Sequence, residues 1–350
     1  MKITKDFPGG NIIVKSVDGN TVYLEDELRD TDGFWFYWAF RCEGKKGETV
    51  HFVFDMEGHE LLGYYGPAIS RDFENWEWLG ATADRNRFSF TFPADEAVYF
   101  AHHMLYRPER FFAFAKEKGL SLQTLCQSEH GNAVPFFTFG NGSRPVILTA
   151  RHHACESTGN YVLEGVLDAL LQCELPDLKV FCVPFVDYDG ALCGDQGKNR
   201  IPHDHNRDYI EQPIYPAVQK IMDYVKENGV FLAFDFHSPW HLGGRNDAVF
   251  VVRAKMQDPA NQNRFCALLQ EATQSPEALR YTPDDDIYPD VDWNQSSNPS
   301  FPNFMRKSGA QLSFTLETTF FGRSDNVFSQ EKAIETGRCF AKSLLEYLAE

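Results

Sequence analysis

The chain has 350 residues, more than one average domain needs and enough for two. Its 33 Lys and Arg against 50 Asp and Glu give a formal net charge of −17, which argues against a nucleic-acid or anionic-membrane surface, because both need clustered positive charge. A 43% hydrophobic, 24% charged composition excludes a disordered chain, and 31 Phe supply apolar area for two cores.

The opening MKITKDFPGGNIIV lacks the apolar run of a signal peptide, and no stretch approaches the ~20 apolar residues of a spanning helix, so a cytoplasmic protein is expected. The eight cysteines form no CxxC pair and sit mostly in apolar runs, which predicts buried free thiols.

Up to about residue 105 the chain reads as short alternating or aromatic runs: NIIVKSV, NTVYLED, FWFYWAFRC, TVHFVFDM, WEWLG, RFSFTFP and AVYFAHHM. Turn signals separate them and no convincing helix intervenes, so residues 1–105 are expected to form an antiparallel β-sandwich domain. The FWFYWAF run suits its core, since successive aromatics on a strand face both sides.

Residues 106–350 change texture and are read as a second domain. Helical RPERFFAFAKEK precedes strand candidates SLQTLCQS, AVPFFTFG and PVILTA; a helix follows in STGNYVLEGVLDALLQC, then strand LKVFCVPFV and a polar loop. Helix YPAVQKIMDYVKEN, strands VFLAFDFHS and DAVFVV, and helix ANQNRFCALLQEATQ lead into a Pro- and Asp-rich loop over about 281–303. Strand QLSFTLETT and helix QEKAIETGRCFAKSLLEYLAE close the chain. Apolar strands separated by amphipathic helices predict an α/β fold with a mixed, mostly parallel sheet flanked by helices. No Rossmann or P-loop glycine pattern is present.

In such a sheet, ligands bind where strands end. The strand PVILTA runs into Arg151-His152-His153-Ala154-Cys155-Glu156, VFLAFD into Phe236-His237-Ser238, and QLSFTL into Glu317. The spacing of His153 and Glu156 in a strand-to-helix turn lets an imidazole and a carboxylate reach one ion, and His237 can complete a set of three. Two His and one Glu with an open fourth position is the donor set of a catalytic zinc site.

In order, TLCQSEHGNAVPFFTF, ARHHACE, DHNRDY, DFH and TLETTFFG resemble the zinc carboxypeptidases of the carboxypeptidase A type, most closely the cytosolic carboxypeptidase branch. The resemblance is strong from Ser121 to Gly322, and that branch also carries an N-terminal β-sandwich. It implies zinc on His153, Glu156 and His237, and Asp204 holding the imidazole of His153 from behind. It implies that Asn206 and Arg207 bind a free C-terminal carboxylate, and that Glu317 is the general base. For the cation that stabilises the oxyanion, Arg200 is the first choice and Lys198 the rival, since the offset from Asn206 departs from the branch. Ala154-Cys155 stands where the family has Pro-Gly. No Tyr matches the substrate cap of the pancreatic-type enzymes; Tyr281 and Tyr288 stay unassigned.

Several polar residues near these motifs have plainer readings. His152 is expected to point away from His153 on an extended segment. His203 and His205 are expected to shape the loop presenting Asn206, and Cys155 to pack. Asp284, Asp285 and Asp286 read as a solvated loop. Arg245 and Arg253 could line the pocket for the last side chain and favour an acidic residue, or be surface cations.

The reading is a zinc metallopeptidase that removes a C-terminal residue, acidic or not, α- or γ-linked, from a peptide or protein, with oligomeric state, a homo-oligomer included, left open. Its rivals are a zinc amidohydrolase acting on N-acyl amino acids or cell-wall peptides, and an inactive metal-binding adaptor.

Overall fold

The computed structural model describes residues 1–55 and 58–349. Near the N-terminus, a four-stranded sheet (Ile13–Asp18, Thr21–Glu25, Thr49–Phe54, Arg87–Thr91) faces a five-stranded one built around Ala39–Gly44 and Glu96–Ala101. Phe40 from one sheet meets Phe52 from the other, with ring centroids 5.1 Å apart. One pair departs from the antiparallel expectation: Thr21–Glu25 and Thr49–Phe54 run parallel. Between them the chain crosses to the other sheet as Ala39–Gly44, so it returns in the same direction.

The aromatic run behaves as alternation requires. Phe36, Trp38 and Phe40 are buried in the sandwich core, while Tyr37 and Ala39 are buried against the rest of the molecule. Both faces of this layer are therefore covered.

The larger sheet has seven strands in the order Gln123–Gln127, Ala133–Phe139, Leu178–Val183, Arg144–Ala150, Leu232–His237, Leu312–Glu317 and Phe250–Arg253. The four from Leu178–Val183 to Leu312–Glu317 run parallel, and the pairings beyond them are antiparallel, which is the mixed, mostly parallel sheet expected. Helices Thr158–Leu170, Pro259–Ala272 and Gln330–Ala349 pack on one face and Pro216–Asn228 on the other.

Two short helices, Tyr188–Cys193 and Phe301–Lys307, occupy stretches read as loop or left without an element. Asp187 caps the first by accepting from the Gly190 N–H, and Pro302 fits the first turn of the second, where its missing N–H costs nothing. The cysteines are free, but Cys173 and Cys193 are exposed rather than buried. No described helix is long and apolar enough to cross a membrane.

Helices Thr158–Leu170 and Gln330–Ala349 cross at backbone contact distance. A Cβ on Gly165 would lie 1.9 Å from the Ile334 carbonyl oxygen, and one on Gly337 would lie 2.0 Å from that of Val162. Gly to Ala in an exposed helix gains about 1 kcal/mol. Here Gly165→Ala is expected to cost about 2 kcal/mol or more and lower Tm by several degrees, because backbone cannot yield as a side-chain tip can. A Tm unchanged or raised in a thermal melt would contradict this crossing.

Candidate metal centre and active site

The central strands sort their side chains by parity. Leu148, Phe234, Phe236, Phe314 and Leu316 enter the core beneath the long helices, whereas Thr149, Asp235, His237, Thr315 and Glu317 share the opposite face. His237 and Glu317 are register partners on adjacent parallel strands, so the ends of those strands bring them side by side. The strand Arg144–Ala150 stops at Ala150, and Arg151 adopts left-handed backbone with φ 59°. This turn breaks the alternation expected of His152 and His153, and both imidazoles reach the same polar face against His237.

Glu156 lies at the centre. Its Oε1 is 2.9 Å from His153 Nδ1, and its Oε2 is 2.7 Å from His237 Nδ1. One ligand atom from each of His153, Glu156 and His237 lies within 4.8 Å of the other two, and all three side chains are buried. Carboxylates stand behind the far nitrogens: His237 Nε2 is hydrogen-bonded to Asp235 Oδ2 at 2.6 Å, whereas His153 Nε2 lies 3.4 Å from Asp204 Oδ1 and has no hydrogen-bond partner among the described residues. Asp204 also caps the turn His205–Arg207 by accepting from the Asn206 N–H at 2.9 Å.

With its Nε2–H given to Asp235, neutral His237 turns a lone pair toward Glu156. An imidazole nitrogen facing a carboxylate at that distance is attractive only with a proton or a cation between them. Burial works against charge on His237, yet the Asp235 and Glu156 carboxylates outweigh it and hold the imidazole well above its usual range. The donor set thus fits a divalent ion: two imidazoles oriented from behind and one carboxylate.

A second group, His152, Asp235 and His237, is equally close, but its donors are committed. His152 Nδ1 is 2.9 Å from Asp235 Oδ1 and its Nε2 is 2.8 Å from the Tyr209 hydroxyl. Asp235 also accepts from the Thr149 hydroxyl. Asp235 was legible in the motif DFH, because residues two apart on a strand share a face; the sequence reading gave it no role.

Glu317 is 5% exposed, and its Oε2 has no hydrogen-bond partner among the described residues. Burial, helped by the neighbouring Glu156 charge and opposed by His237 and Lys198, pushes its carboxyl up to about 7. Lys198 Nζ is 3.3 Å from Glu156 Oε1 and lies over the Trp35 ring. A Cβ on Gly197 (φ 76°) would fall 2.0 Å from the Ala154 nitrogen, so only glycine lets this loop abut the His153–Glu156 turn.

Arg200 is not delivered to that point. Its guanidinium pairs with Asp30, Asp187 and Asp195 at 3.1, 2.9 and 2.9 Å. Three carboxylates engage its Nε and Nη2, whereas Lys198 meets Glu156, so the geometry favours Lys198 over Arg200 as the cation beside the cluster. Asn206 Oδ1 accepts from the Phe301 N–H at 2.9 Å, which leaves its amide N–H groups to donate. Arg207 forms no carboxylate ion pair among the described residues; its Nη1 donates to the Asn206 carbonyl at 2.9 Å.

These groups open on one cavity of about 520 Å³, walled also by Trp35, Trp240 and Trp293. Neither Tyr281 nor Tyr288 lines it: Tyr281 is buried with its hydroxyl on Asp286, and Tyr288 is exposed beneath Arg253. Arg253 is buried on Asp286, and Arg245 pairs with Asp292, so neither reaches the cavity. His205 stacks on Tyr215, and His203 is held by Asp208 at 2.7 Å. Cys155 is buried, with a thiol pushed up by burial.

Residues 3–103 match the family model described as the cytosolic carboxypeptidase N-terminal domain. An uncharacterized protein of Zymomonas mobilis is 25% identical over 256 residues, covering 68% of this chain and 67% of its own length. Cytosolic carboxypeptidase 2 of Xenopus tropicalis is 26% identical over 298 residues, 74% of this chain, and the alignment spans only 30% of that longer protein. Among solved structures, a metallo-carboxypeptidase from Burkholderia cenocepacia superposes with a TM-score of 0.82 at 21% identity over 99% of this chain and 98% of its own, and so shares the fold. A Pseudomonas aeruginosa metallo-carboxypeptidase superposes at 0.79 and 21% identity over 100% and 99%. The chain is thus similar to cytosolic carboxypeptidases in its N-terminal domain and along much of its sequence, and it shares the fold of the solved metallo-carboxypeptidases.

Proposed function

We propose that the chain is a zinc-dependent carboxypeptidase that hydrolyses the last peptide or isopeptide bond of a peptide or protein with a free C-terminus, working in the cytoplasm as its named relatives suggest. One observation carries this reading. His153 and His237 of the buried His153–Glu156–His237 donor set line one cavity with Glu317 and Arg207; among the described residues Glu317 Oε2 has no hydrogen-bond partner and Arg207 no carboxylate ion pair.

His153 Nδ1, Glu156 and His237 Nδ1 would hold the ion, with Asp204 and Asp235 fixing the two imidazoles. When bound, it supplies Lewis-acid polarisation of the scissile carbonyl and acidity to the attacking water. Arg207 forks onto the substrate carboxylate while the Asn206 amide adds a neutral donor, which sets the distance from the C-terminus to the bond that is cut. Glu317 takes the proton of the attacking water and returns it to the leaving amine. A carboxyl displaced upward by burial suits that exchange, since it binds a proton more readily than an exposed glutamate does. Lys198, on the loop abutting the His153–Glu156 turn, places its ammonium where oxyanion charge develops.

Glu317→Gln keeps shape and removes the base. Release of amino acid from a peptide should fall at least about 10³-fold while bound metal stays at the native level; undiminished turnover would refute the assignment.

Lys198 and Arg200 should separate by kind of effect. Lys198→Met is expected to lower kcat about 10²-fold with little change in KM or Tm, and Lys198→Arg to recover part of the loss. Arg200→Met strips the counterion from three carboxylates and should lower Tm first. The reverse pattern, a stable but inactive Arg200→Met beside an active Lys198→Met, would restore Arg200 as the cation of the reaction.

A further inference from the structure

We propose that the residue released from the C-terminus is an uncharged one. The inference rests on the carboxypeptidase reading and concerns the wall that its last side chain meets.

If the terminal carboxylate docks on Asn206 and Arg207 and the scissile carbonyl lies at the His153–Glu156–His237 cluster, the side chain between them faces the cavity wall beyond both. Thr315 stands two residues before Glu317 on the same strand face, and Val252 is its register partner on the edge strand. Asn206 is tied to Phe301 N, which brings Ser300 and the loop carrying Asn294 and Asn298 alongside. Thr315, Val252, Ser300, Asn294 and Asn298 line the cavity, and none carries charge.

The cations of the cavity are accounted for elsewhere. Lys198 faces Glu156, Arg200 is enclosed by three carboxylates, and Arg207 has the substrate's terminal carboxylate to bind. His203 is held by Asp208. Arg253 leaves the edge strand at the position after Val252, and its guanidinium is held by Asp286 and Asn263, outside the cavity. A second carboxylate on the substrate would therefore be desolvated with no counterion. A basic side chain fares no better. The cavity's acids are Asp204, engaged with His153, and Glu317, the proposed base. An uncharged side chain, polar or of moderate apolar bulk, suits a wall of hydroxyls, amides and one valine.

The test is a series of N-blocked dipeptides alike except for the last residue, assayed with the native enzyme for released amino acid. The best of the Thr-, Gln-, Leu- and Met-ended peptides should exceed the Glu-, Asp-, Lys- and Arg-ended ones at least tenfold in kcat/KM. A charged residue cleaved within tenfold of the best neutral one overturns the inference and leaves the carboxypeptidase reading intact; failure to cleave any member overturns both. In Val252→Arg, verified as folded by its thermal melt, the ratio of Glu-ended to neutral cleavage should rise at least tenfold. An unchanged ratio would overturn the assigned wall.

Discussion

The proposed chemistry depends on one carboxylate shared by two imidazoles. Glu156 reaches His153 Nδ1 with one oxygen and His237 Nδ1 with the other, in a site where all three side chains are buried. Such a cluster is expensive without a charge at its centre. The surroundings prepare it for one: Asp235 and Asp204 stand behind the imidazoles, and the Ser238 N–H donates to Glu156 Oε2 at 3.2 Å. Left-handed backbone at Arg151, of order 1 kcal/mol against it, is part of the cost of turning His153 inward.

The N-terminal β layer holds the site together from outside. Asp30 accepts from the N–H groups of Gln196 and Gly197 and pairs with Arg200, while the Gln196 side chain bonds both backbone groups of Tyr37. These contacts fix the loop that presents Lys198. On the other side, Phe320 and Phe321, just past Glu317, are buried in the sandwich core. Trp35 comes from the same layer and walls the cavity. The layer thus clamps the strand carrying Glu317 and the loop carrying Lys198, which explains physically why a small all-β unit precedes the larger sheet.

Much of this was legible in the residues. Alternation and amphipathic spacing located the seven strands of the large sheet and its five long helices, because burial on both faces leaves a strong apolar signature. The strand-end rule located His153, Glu156, His237 and Glu317. Other features were hidden for definite reasons. The roles of Lys198 and Arg200 depend on Asp30, more than 160 residues away in sequence, and no local pattern reports which cation will be neutralised. His152 was misdirected because positive φ at Arg151 breaks strand alternation. The helices Tyr188–Cys193 and Phe301–Lys307 are too short for periodicity and rest on capping and proline geometry. Arg245 and Arg253 are paired with Asp292 and Asp286, partners more than 30 residues away that no local pattern around either arginine reports.

His153, His237, Glu317, Asn206, Arg207 and the uncharged Thr315, Val252 and Ser300 line one cavity, which is what the proposed reaction and its proposed specificity both use. The most direct measurement is the metal content of the purified chain after loading with zinc and exhaustive dialysis, compared with His237→Ala treated alike. The account predicts one tightly held divalent ion per chain in the native protein and almost none in the variant. A native chain that retains no ion, or a variant that retains a full equivalent, would contradict it.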